Sequence, residues 1–388
     1  MLAIGLDDSL PYFRIDLDRM KDAVDLVLET TRKAYPSLEI PFHSRWRHFV
    51  AADEDRWAAV AETANWTDRA ARARAEFDLV IVSVLLDAGA GPSWRYFDPL
   101  TGIGVGRSEG LGLASLAMFG HGVFSANPAD LLRADAHALS RLLVADLERG
   151  LQVSNINPLL GIEGRANLLH RLGVLVASRP EVFASKDGPR PGGLFDHLVS
   201  LADDRRISAS IILTELLHQL GPIWPSRLSL GGIPLGDCWR HPALRTTDPT
   251  SELLPLHKLS QWLAYSLIEP LQTAGITVTE IDGLTGLAEY RNGGLFVDLA
   301  VLAYRDPLDA SRQHDVASPL VVEWRALTVA LLDLLAEALR ERLGLDPTSL
   351  PLAKILQGGS WAAGRKLAFD RRPDGSAPVK VISDGTVF

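Results

Sequence analysis

Apolar residues recur at helical spacing along most of the chain. In residues 14–34, RIDLDRMKDAVDLVLETTRKA, they fall three or four positions apart, and Tyr35-Pro36 ends the pattern. Similar patterns with good end signals predict helices over 129–149, 206–220 and 252–274. We find no internal repeat and no charge shift that would mark a boundary. We therefore expect a mainly α protein, built as a single large helical domain over residues 1–388.

The C-terminal end has a different pattern. APVKVISDGTVF alternates between apolar and polar residues and contains Asp384-Gly385, a turn signal. A short β hairpin is expected there.

Two very hydrophobic segments each contain the tripeptide Glu-aromatic-Arg. The first is LTGLAEYRNGG, 284–294, with Glu289 and Arg291. The second is VVEWRALTVALLDLL, with Glu323 and Arg325. It opens a predicted helix, because Ser318-Pro319 is a helix start signal and Leu343-Gly344 a stop signal. Both segments put charge where a protein core normally holds apolar side chains.

If 284–304 is a helix, Glu289 and Arg291 point about 160° apart and cannot pair with each other. An unpaired buried charge costs several kcal/mol, so each group is either paired elsewhere or lines a polar cleft. We expect the crossed pairs Glu289 with Arg325 and Arg291 with Glu323. The pairs are either a buried ion-pair network between two core helices or part of a site where a carboxylate acts on a substrate.

Composition narrows the function classes. The 388 residues carry a net charge of −9, and no basic run marks a surface for phosphates, so we expect no nucleic-acid partner. Cys238 is the only cysteine, which excludes an intramolecular disulfide and a cysteine-rich zinc site. No basic leader with an apolar run is visible, and LVIVSVLL is too short for a membrane span. We expect a cytoplasmic protein with no membrane partner.

Several other motifs are weak. GIGVGRSEGLG lacks the dinucleotide-binding spacing, because Arg107 stands in place of the third glycine. The ten histidines show no metal-binding spacing, so we expect no metal and no cofactor. HSRWRHF, which contains His48, is either a surface cation–π cluster or part of a site. LVIVSVLLDAGAG is similar to the strand and loop of phosphoribosyltransferases, but Asp87 is its only acid.

QGGSWAAGR near the C-terminus suggests a phosphate site. Gly358-Gly359-Ser360 can open a helix with free N–H groups, and Arg365 can add a fork of donors. The alternative is that Ser360 is a plain helix N-cap.

Longer blocks carry a resemblance. HSRWRHF, LLDAGAGPSWRY, GRSEGLGLASLAMF, GLAEYRNGGLFVD, EWRALT and GGSWAAGR…SDGTVF resemble, in order and along nearly the whole chain, the uracil-catabolism family of fungi and bacteria. That family acts in a route that degrades uracil through a ribosylated urea. AEYR and E-x-R-A-x-T-V are also similar to blocks of the queuosine 5′-phosphate hydrolases, helical proteins related in fold to DNA glycosylases. In those proteins aspartate stands in the place of Glu289, and V-P-Q in place of Asn292-Gly293-Gly294.

The two resemblances imply an N-glycoside hydrolase that cleaves ribosylurea 5′-phosphate, or a related ribosylated product, to urea and ribose 5-phosphate. Glu289 is the predicted catalytic carboxylate, with Glu323 orienting an arginine and Asp87 as a reserve acid or base. The predicted substrate-binding residues are Arg291, Arg325, His48, Trp94, Tyr96, Arg107, Gly359, Ser360 and Arg365. The expected partner is a small ribosylated molecule, and the oligomeric state stays open. The alternatives are a uracil phosphoribosyltransferase and a non-catalytic scaffold of the pathway.

Overall fold

The computed structural model describes residues 1–87, 89–91, 93–224 and 226–382. It is 53% helical and 10% strand, which confirms the prediction of a mainly α protein. The α-helices in chain order are α1 Leu2–Leu6, α2 Met20–Ala34, α3 Arg56–Thr63, α4 Arg69–Leu85, α5 Arg107–Gly120, α6 Ala136–Leu139, α7 Val144–Gly150, α8 Ile162–Ser178, α9 Pro180–Phe183, α10 Gly193–Leu201, α11 Ala209–Leu220, α12 Lys258–Thr273, α13 Tyr290–Asp298, α14 Pro319–Leu343, α15 Leu352–Ile355 and α16 Trp361–Arg371.

Short strands pair two by two in the described part of the chain. They are β1 Phe13–Ile15, β2 Val50–Ala51, β3 Glu54–Asp55, β4 Tyr96–Phe97, β5 Gly104–Val105, β6 Arg206–Ser208, β7 Ser229–Leu230, β8 Ile233–Pro234, β9 Cys238–Arg240, β10 Leu253–Pro255, β11 Thr277–Thr279, β12 Leu302–Tyr304, β13 Gln313–Asp315 and β14 Lys380–Ile382. The pairs β6 with β11 and β13 with β14 are parallel, and the others are antiparallel.

Contacts group the residues into two compact units. Of the described residues, the first unit comprises Met1–His43, Ser226–Gln261 and 280–382, and the second comprises those of 44–224 and Trp262–Thr279. The single domain over 1–388 stays a prediction, and so does the distant likeness to DNA glycosylases. Each unit is described by itself.

Helix α14 is the central element of the first unit, and its ends follow local signals. The Ser318 hydroxyl accepts a hydrogen bond from Val321 N (3.4 Å), Pro319 occupies the first helical position, and Gly344 ends the helix with φ 64°. These are the predicted start and stop. Leu327 and Leu331 are fully buried, as expected for a helix that is apolar on most sides.

The other predicted helices are correct in part. The segment 14–34 becomes helical at Met20, because its first residues pair as β1 with β12. The segments 206–220 and 252–274 likewise begin with a strand before α11 and α12. The continuous helix over 129–149 is wrong. Asp135 accepts hydrogen bonds from His137 N and Ala138 N, which starts the short helix α6, and α7 begins separately at Val144.

The segment 284–304 is mostly not helical. Helix α13 covers only Tyr290–Asp298, and residue 289 lies before it in extended conformation, with φ −120° and ψ 163°. Gly293 lies under Trp324, and a Cβ atom added there would be 2.7 Å from the indole Nε1. α13 and α14 therefore pack too closely for a side chain at this position.

Only the first half of the predicted C-terminal hairpin lies in the described residues, and its pairing differs from the prediction. β14 pairs in parallel with β13, a distant strand in sequence. Asp384-Gly385 lie outside the described residues. In the second unit, α4 carries the apolar LVIVSVLL, and Leu79 to Leu86 are buried. No helix in the described ranges is long and apolar enough to cross a membrane.

Candidate functional site

Glu289 is the N-cap of α13. Its Oε2 accepts a hydrogen bond from Arg291 N (2.8 Å), and its Oε1 accepts one from Asn292 N (2.5 Å). Free N–H groups at a helix start attract a negative charge, and an acidic residue in extended conformation before the helix is a favoured cap. Glu289 is 8% exposed. The helix start thus holds the carboxylate of this nearly buried residue in one orientation.

The surroundings of Glu289 change its proton affinity. Burial raises the pKa of this carboxyl, and the two backbone hydrogen bonds and the charges of Lys258 and Arg291 lower it by less. A carboxylate with a raised pKa is a stronger base than an exposed glutamate. The predicted catalytic role of Glu289 is therefore chemically reasonable, and it stays a prediction.

Arg325 pairs with Asp237 and not with Glu289. Both guanidinium Nη atoms donate to the two Asp237 oxygens, each at 2.9 Å, and both residues are buried. The crossed pair Glu289 with Arg325 is therefore wrong. The reason is that Asp237 comes from a loop distant in sequence and offers a planar two-oxygen partner that matches the fork of the guanidinium.

The Asp237 carboxylate joins three segments of the first unit. It accepts hydrogen bonds from the Trp239 indole (2.5 Å) and from Lys258 N (2.9 Å), while Arg325 Nε donates to Ala288 O (3.4 Å). Burial alone would raise the Asp237 pKa, but the Arg325 charge and these hydrogen bonds outweigh it and lower the pKa to about 2. The pair therefore stays charged and links the start of α12 to the residue before Glu289.

Sequence reasoning missed Asp237 and Lys258. Asp237 lies in GDCWRHP, within a glycine-rich loop, and Lys258 begins a helix that the periodicity had started at residue 252. A signal was present in Gly236-Asp237, since an acidic residue between a glycine and an apolar Cys-Trp pair has few solvated neighbours. Its partner could not be read from the sequence.

Glu323 is completely buried in the second turn of α14. Its Oε1 accepts hydrogen bonds from Tyr12 N (3.1 Å) and Phe13 N (2.7 Å), and its Oε2 lies 3.1 Å from His241 Nε2. Because His241 Nδ1 accepts a hydrogen bond from Ala243 N, a neutral ring carries its proton on Nε2, the nitrogen that lies near Glu323. Glu323 therefore fastens the N-terminal segment. The expected role of Glu323, orienting Arg291 or Arg325, is therefore wrong.

Arg291 points into the first unit, where its Nη1 donates to Gly375 O (2.7 Å). Its guanidinium carbon lies 4.7 Å from the centre of the Tyr290 ring, and the residue is 1% exposed. The crossed pair Arg291 with Glu323 is wrong as well. Substrate binding by Arg291 and Arg325 stays a prediction, and the geometry assigns both side chains to buried protein contacts.

The Gly-Gly-Ser segment does not open a helix with free N–H groups, so that expectation is wrong. Residues Leu356–Ser360 form a π-helical turn that continues α15 into α16. A Cβ atom on Gly359 would be 2.5 Å from Val27 O, so Gly359 permits close packing against α2. Ser360 is fully buried, forms no cap, and donates from its hydroxyl to Asn292 Oδ1 (2.9 Å). Ser360 therefore supports the first turn of α13.

Arg365 lies on α16, one helical turn beyond this segment. Its guanidinium carbon is 5.4 Å from the Trp361 ring centre. Phosphate binding by Arg365 stays a prediction, without the helix start that motivated it.

His48 and Asp87 meet at Arg45 in the second unit. Arg45 Nη1 lies 3.1 Å from His48 Nδ1 and 3.2 Å from Asp87 Oδ2, and Arg45 has no exposed surface. Trp262 packs against both Arg45 and His48, at 5.5 Å in each case. The HSRWRHF block is therefore a largely buried polar cluster and not a surface cation–π cluster.

Trp94, Tyr96 and Arg107 also belong to the second unit. Trp94 has no exposed surface and its indole donates to Leu151 O (2.9 Å), so in this structure it is a core residue and not a pocket wall. Tyr96 does line a cavity of about 460 Å³. Arg107 starts α5 with φ 56°, an unusual conformation for a residue other than glycine. The described residues contain no group of three or more His, Cys, Asp or Glu placed to hold a metal ion.

Comparison with known proteins gives matches along the whole chain. A family model described as "Protein of unknown function (DUF1688)" matches residues 1–388. Protein urg3 of Schizosaccharomyces pombe is 39% identical over 390 aligned residues, which cover 98% of this chain and 93% of that protein. Uracil catabolism protein 4 of Lachancea kluyveri is 36% identical over 411 aligned residues, which cover 97% of this chain and 92% of that protein.

Proposed function

The chain belongs to the DUF1688 family, the family of Protein urg3 and Uracil catabolism protein 4. From this premise we propose that it acts in uracil catabolism as an N-glycoside hydrolase. The proposed substrate is ribosylurea 5′-phosphate, or a closely related ribosylated breakdown product, and the products are urea and ribose 5-phosphate. The role in uracil catabolism follows from the name of the second relative, and the reaction type follows from the resemblance to the queuosine 5′-phosphate hydrolases.

The observation that carries the proposal is the geometry of Glu289. Each carboxylate oxygen accepts one backbone hydrogen bond, at 2.8 and 2.5 Å, and can accept another. Burial raises the pKa of this carboxyl, and the residue keeps 8% of its surface exposed. Glu323, in contrast, has no exposed surface. Of the two glutamates singled out by the sequence, Glu289 is therefore the one that supports the proposal.

The proposed reaction uses this carboxylate as a general base. Water attacks the anomeric carbon of the ribose, the bond from that carbon to the urea nitrogen breaks, and its electron pair leaves with the nitrogen. Glu289 takes a proton from the attacking water and then passes it to the urea nitrogen, which restores the carboxylate. The negative charge of Glu289 also stabilises the positive charge that develops on the sugar in the transition state.

Asp237 and Arg325 support this carboxylate indirectly. Arg325 holds Ala288 O, next to Glu289, and Asp237 holds Lys258 N. The Lys258 charge in turn acts on Glu289. These contacts make Asp237 and Arg325 positioning residues in the proposal.

The test is to incubate the purified protein with ribosylurea 5′-phosphate and to measure urea and ribose 5-phosphate. We expect both products in equal amounts, and we expect Glu289→Gln to lower kcat by about 100- to 10,000-fold, the usual contribution of a general base. Asp298→Asn is a matched control, since Asp298 is a carboxylate at the other end of α13 that pairs with Arg372. It should leave the rate nearly unchanged.

The other outcomes decide between the alternatives. If the folded protein releases no urea, the hydrolase proposal is contradicted. If it consumes uracil only when phosphoribosyl diphosphate is present, a phosphoribosyltransferase is supported. No turnover of either substrate, together with binding to other enzymes of the route, supports the scaffold. The closed contacts of Glu323 and Arg325 are what a scaffold also predicts, so the assay on Glu289 carries the decision.

A further inference from the structure

The second unit contains a buried ion pair in which one nitrogen and one oxygen are not used in hydrogen bonds. Arg45 Nη1 lies 3.2 Å from Asp87 Oδ2. Arg45 Nη2 and Asp87 Oδ1 are buried, and neither has a hydrogen-bond partner in the part of the chain that the structure describes. Arg45 is 0% exposed and Asp87 is 7% exposed. One member of the pair therefore has unused N–H donors, and the other has an unused acceptor.

The rest of Arg45 is held firmly. Its Nε donates to the Ser83 hydroxyl (2.6 Å), its Nη1 donates to Ser108 O (3.1 Å), and its backbone N donates to the Ser266 hydroxyl (2.9 Å). The guanidinium therefore cannot rotate to bring Nη2 to Asp87 without breaking these bonds. The unused atoms are fixed features of the fold.

Two other buried ion pairs use their atoms more completely. Asp237 and Arg325 form a two-pronged pair, with two further donors on Asp237. In the second unit, Asp78 accepts from Arg190, Gly192 N and Ala134 N. A buried polar atom without a partner destabilises the folded state, so the open atoms at Arg45 and Asp87 call for a partner from outside the chain.

The charges nearby define the chemistry of that partner. The charge of Glu109 acts on Arg45 and that of Asp87 acts on Arg165, so the cluster contains two cationic and two anionic side chains. An anion would be attracted by Arg45 but repelled by the open Asp87 oxygen. A cation would be attracted by Asp87 but repelled by Arg45. A neutral group with a carbonyl oxygen beside an N–H satisfies both open atoms.

We propose that Arg45 and Asp87 form a binding site for a ureide or carboxamide group. Arg45 Nη2 donates to the carbonyl oxygen of the ligand, and the ligand N–H donates to Asp87 Oδ1. The two open atoms belong to the same guanidinium and carboxylate groups whose other atoms form the 3.2 Å contact, so both lie at this ion pair. The site is a property of the second unit and does not depend on catalysis by Glu289.

The experiment measures binding of urea and acetamide to the full chain by the indole N–H signal of Trp262 in nuclear magnetic resonance. Trp262 packs on both Arg45 and His48, and Trp262→Phe assigns its signal. Urea is used far below the concentrations that unfold proteins, with acetate and guanidinium as the charged comparison ligands. We expect urea and acetamide to shift the signal in a saturable way, and the two ions to shift it much less.

Asp87→Asn tests the acceptor. It should weaken urea binding about tenfold or more, because a hydrogen bond to a charged group is lost. Asp98→Asn is the matched control, since Asp98 is equally buried in the same unit but bonds Arg56 and Thr101. No shift of the Trp262 signal in folded wild type, equal affinity in Asp87→Asn, or tighter binding of acetate or guanidinium would overturn the proposal. If Asp87→Asn does not fold, the preference of wild type for urea and acetamide over the two ions still tests the proposal. The binding measurement needs no turnover, so it is independent of the urea-release assay.

Discussion

The tripeptides Glu289-Tyr290-Arg291 and Glu323-Trp324-Arg325 are nearly the same in sequence and have opposite environments. Glu289 stands before its helix and is held by two backbone N–H groups of the first turn. Glu323 lies in the second turn of a longer helix, where its carboxylate contacts the N-terminal segment and His241. The position of a glutamate relative to the start of a helix thus decides whether its carboxylate caps that helix or binds another segment.

The arginines of the two tripeptides show the same dependence on distant partners. Arg291 meets a backbone carbonyl near the C-terminus, and Arg325 meets the carboxylate of Asp237. Neither pairs with the glutamate of the other tripeptide. The comparison separates a structural motif at residue 323 from a candidate catalytic one at residue 289.

The largest expected effect is on stability at Glu323. Glu323→Ala should lower the free energy of unfolding by about 3–5 kcal/mol, because two buried N–H groups and His241 lose their partner. Guanidinium chloride unfolding measures the loss. Glu289→Ala should cost only about 1 kcal/mol, the usual value for a helix cap. Equal losses in the two variants would contradict the comparison.

A smaller effect concerns pH and Asp237. Its folded pKa of about 2 lies below its ordinary value of 3.8, so the stability it contributes is present above pH 3.8 and is lost as the pH falls towards 2. The expected loss is about 2 kcal/mol. Unfolding experiments across this range should show a steeper fall in wild type than in Asp237→Asn, and parallel curves would show that the pair does not carry this linkage.

Glu289 should show the opposite sign. Its pKa is raised in the folded protein, so its contribution to stability is present below its ordinary value of 4.5 and is lost as the pH rises through the raised value. Glu289→Gln, which cannot ionise, should therefore gain stability relative to wild type as the pH increases. The difference in unfolding free energy between the two proteins, measured from pH 4 upward, should have this slope. A difference that does not change with pH would show that folding does not raise the pKa of Glu289.

The smallest expected effect is at Ser360. Ser360→Ala removes the hydrogen bond to Asn292, whose backbone N–H holds Glu289, and should cost about 1 kcal/mol of stability. We expect kcat for urea release to fall less than tenfold with KM unchanged. A change in KM alone would favour the original prediction that Ser360 binds phosphate.

Much of the fold could be predicted from local signals. Ser318-Pro319 and Gly344 mark α14 because caps act on adjacent residues, and the helical periodicity located α2, α11 and α12 within a few residues. The exceptions have tertiary causes. Residues 13–15 form a strand because β12 is available to pair with them, and Gly358-Gly359-Ser360 continue a helix because α2 packs closely on Gly359.

The candidate site was predictable only in its outline. Charged residues in apolar segments identified Glu289, Arg291, Glu323 and Arg325 as unusual. The partners of the last three are Tyr12, Asp237, His241 and Gly375, which lie far away in sequence and which no helical phase angle relates to them. Asp237 and Lys258 were missed for the same reason.

The most direct test of the central claim is the rate of urea release by wild type, Glu289→Gln and Glu289→Asp, measured side by side on folded protein. We predict that wild type releases urea, that the rate falls about 100-fold or more in Glu289→Gln, and that Glu289→Asp keeps part of the rate. The aspartate still provides a base and a helix cap. Release of urea by Glu289→Gln at the wild-type rate would contradict the central claim.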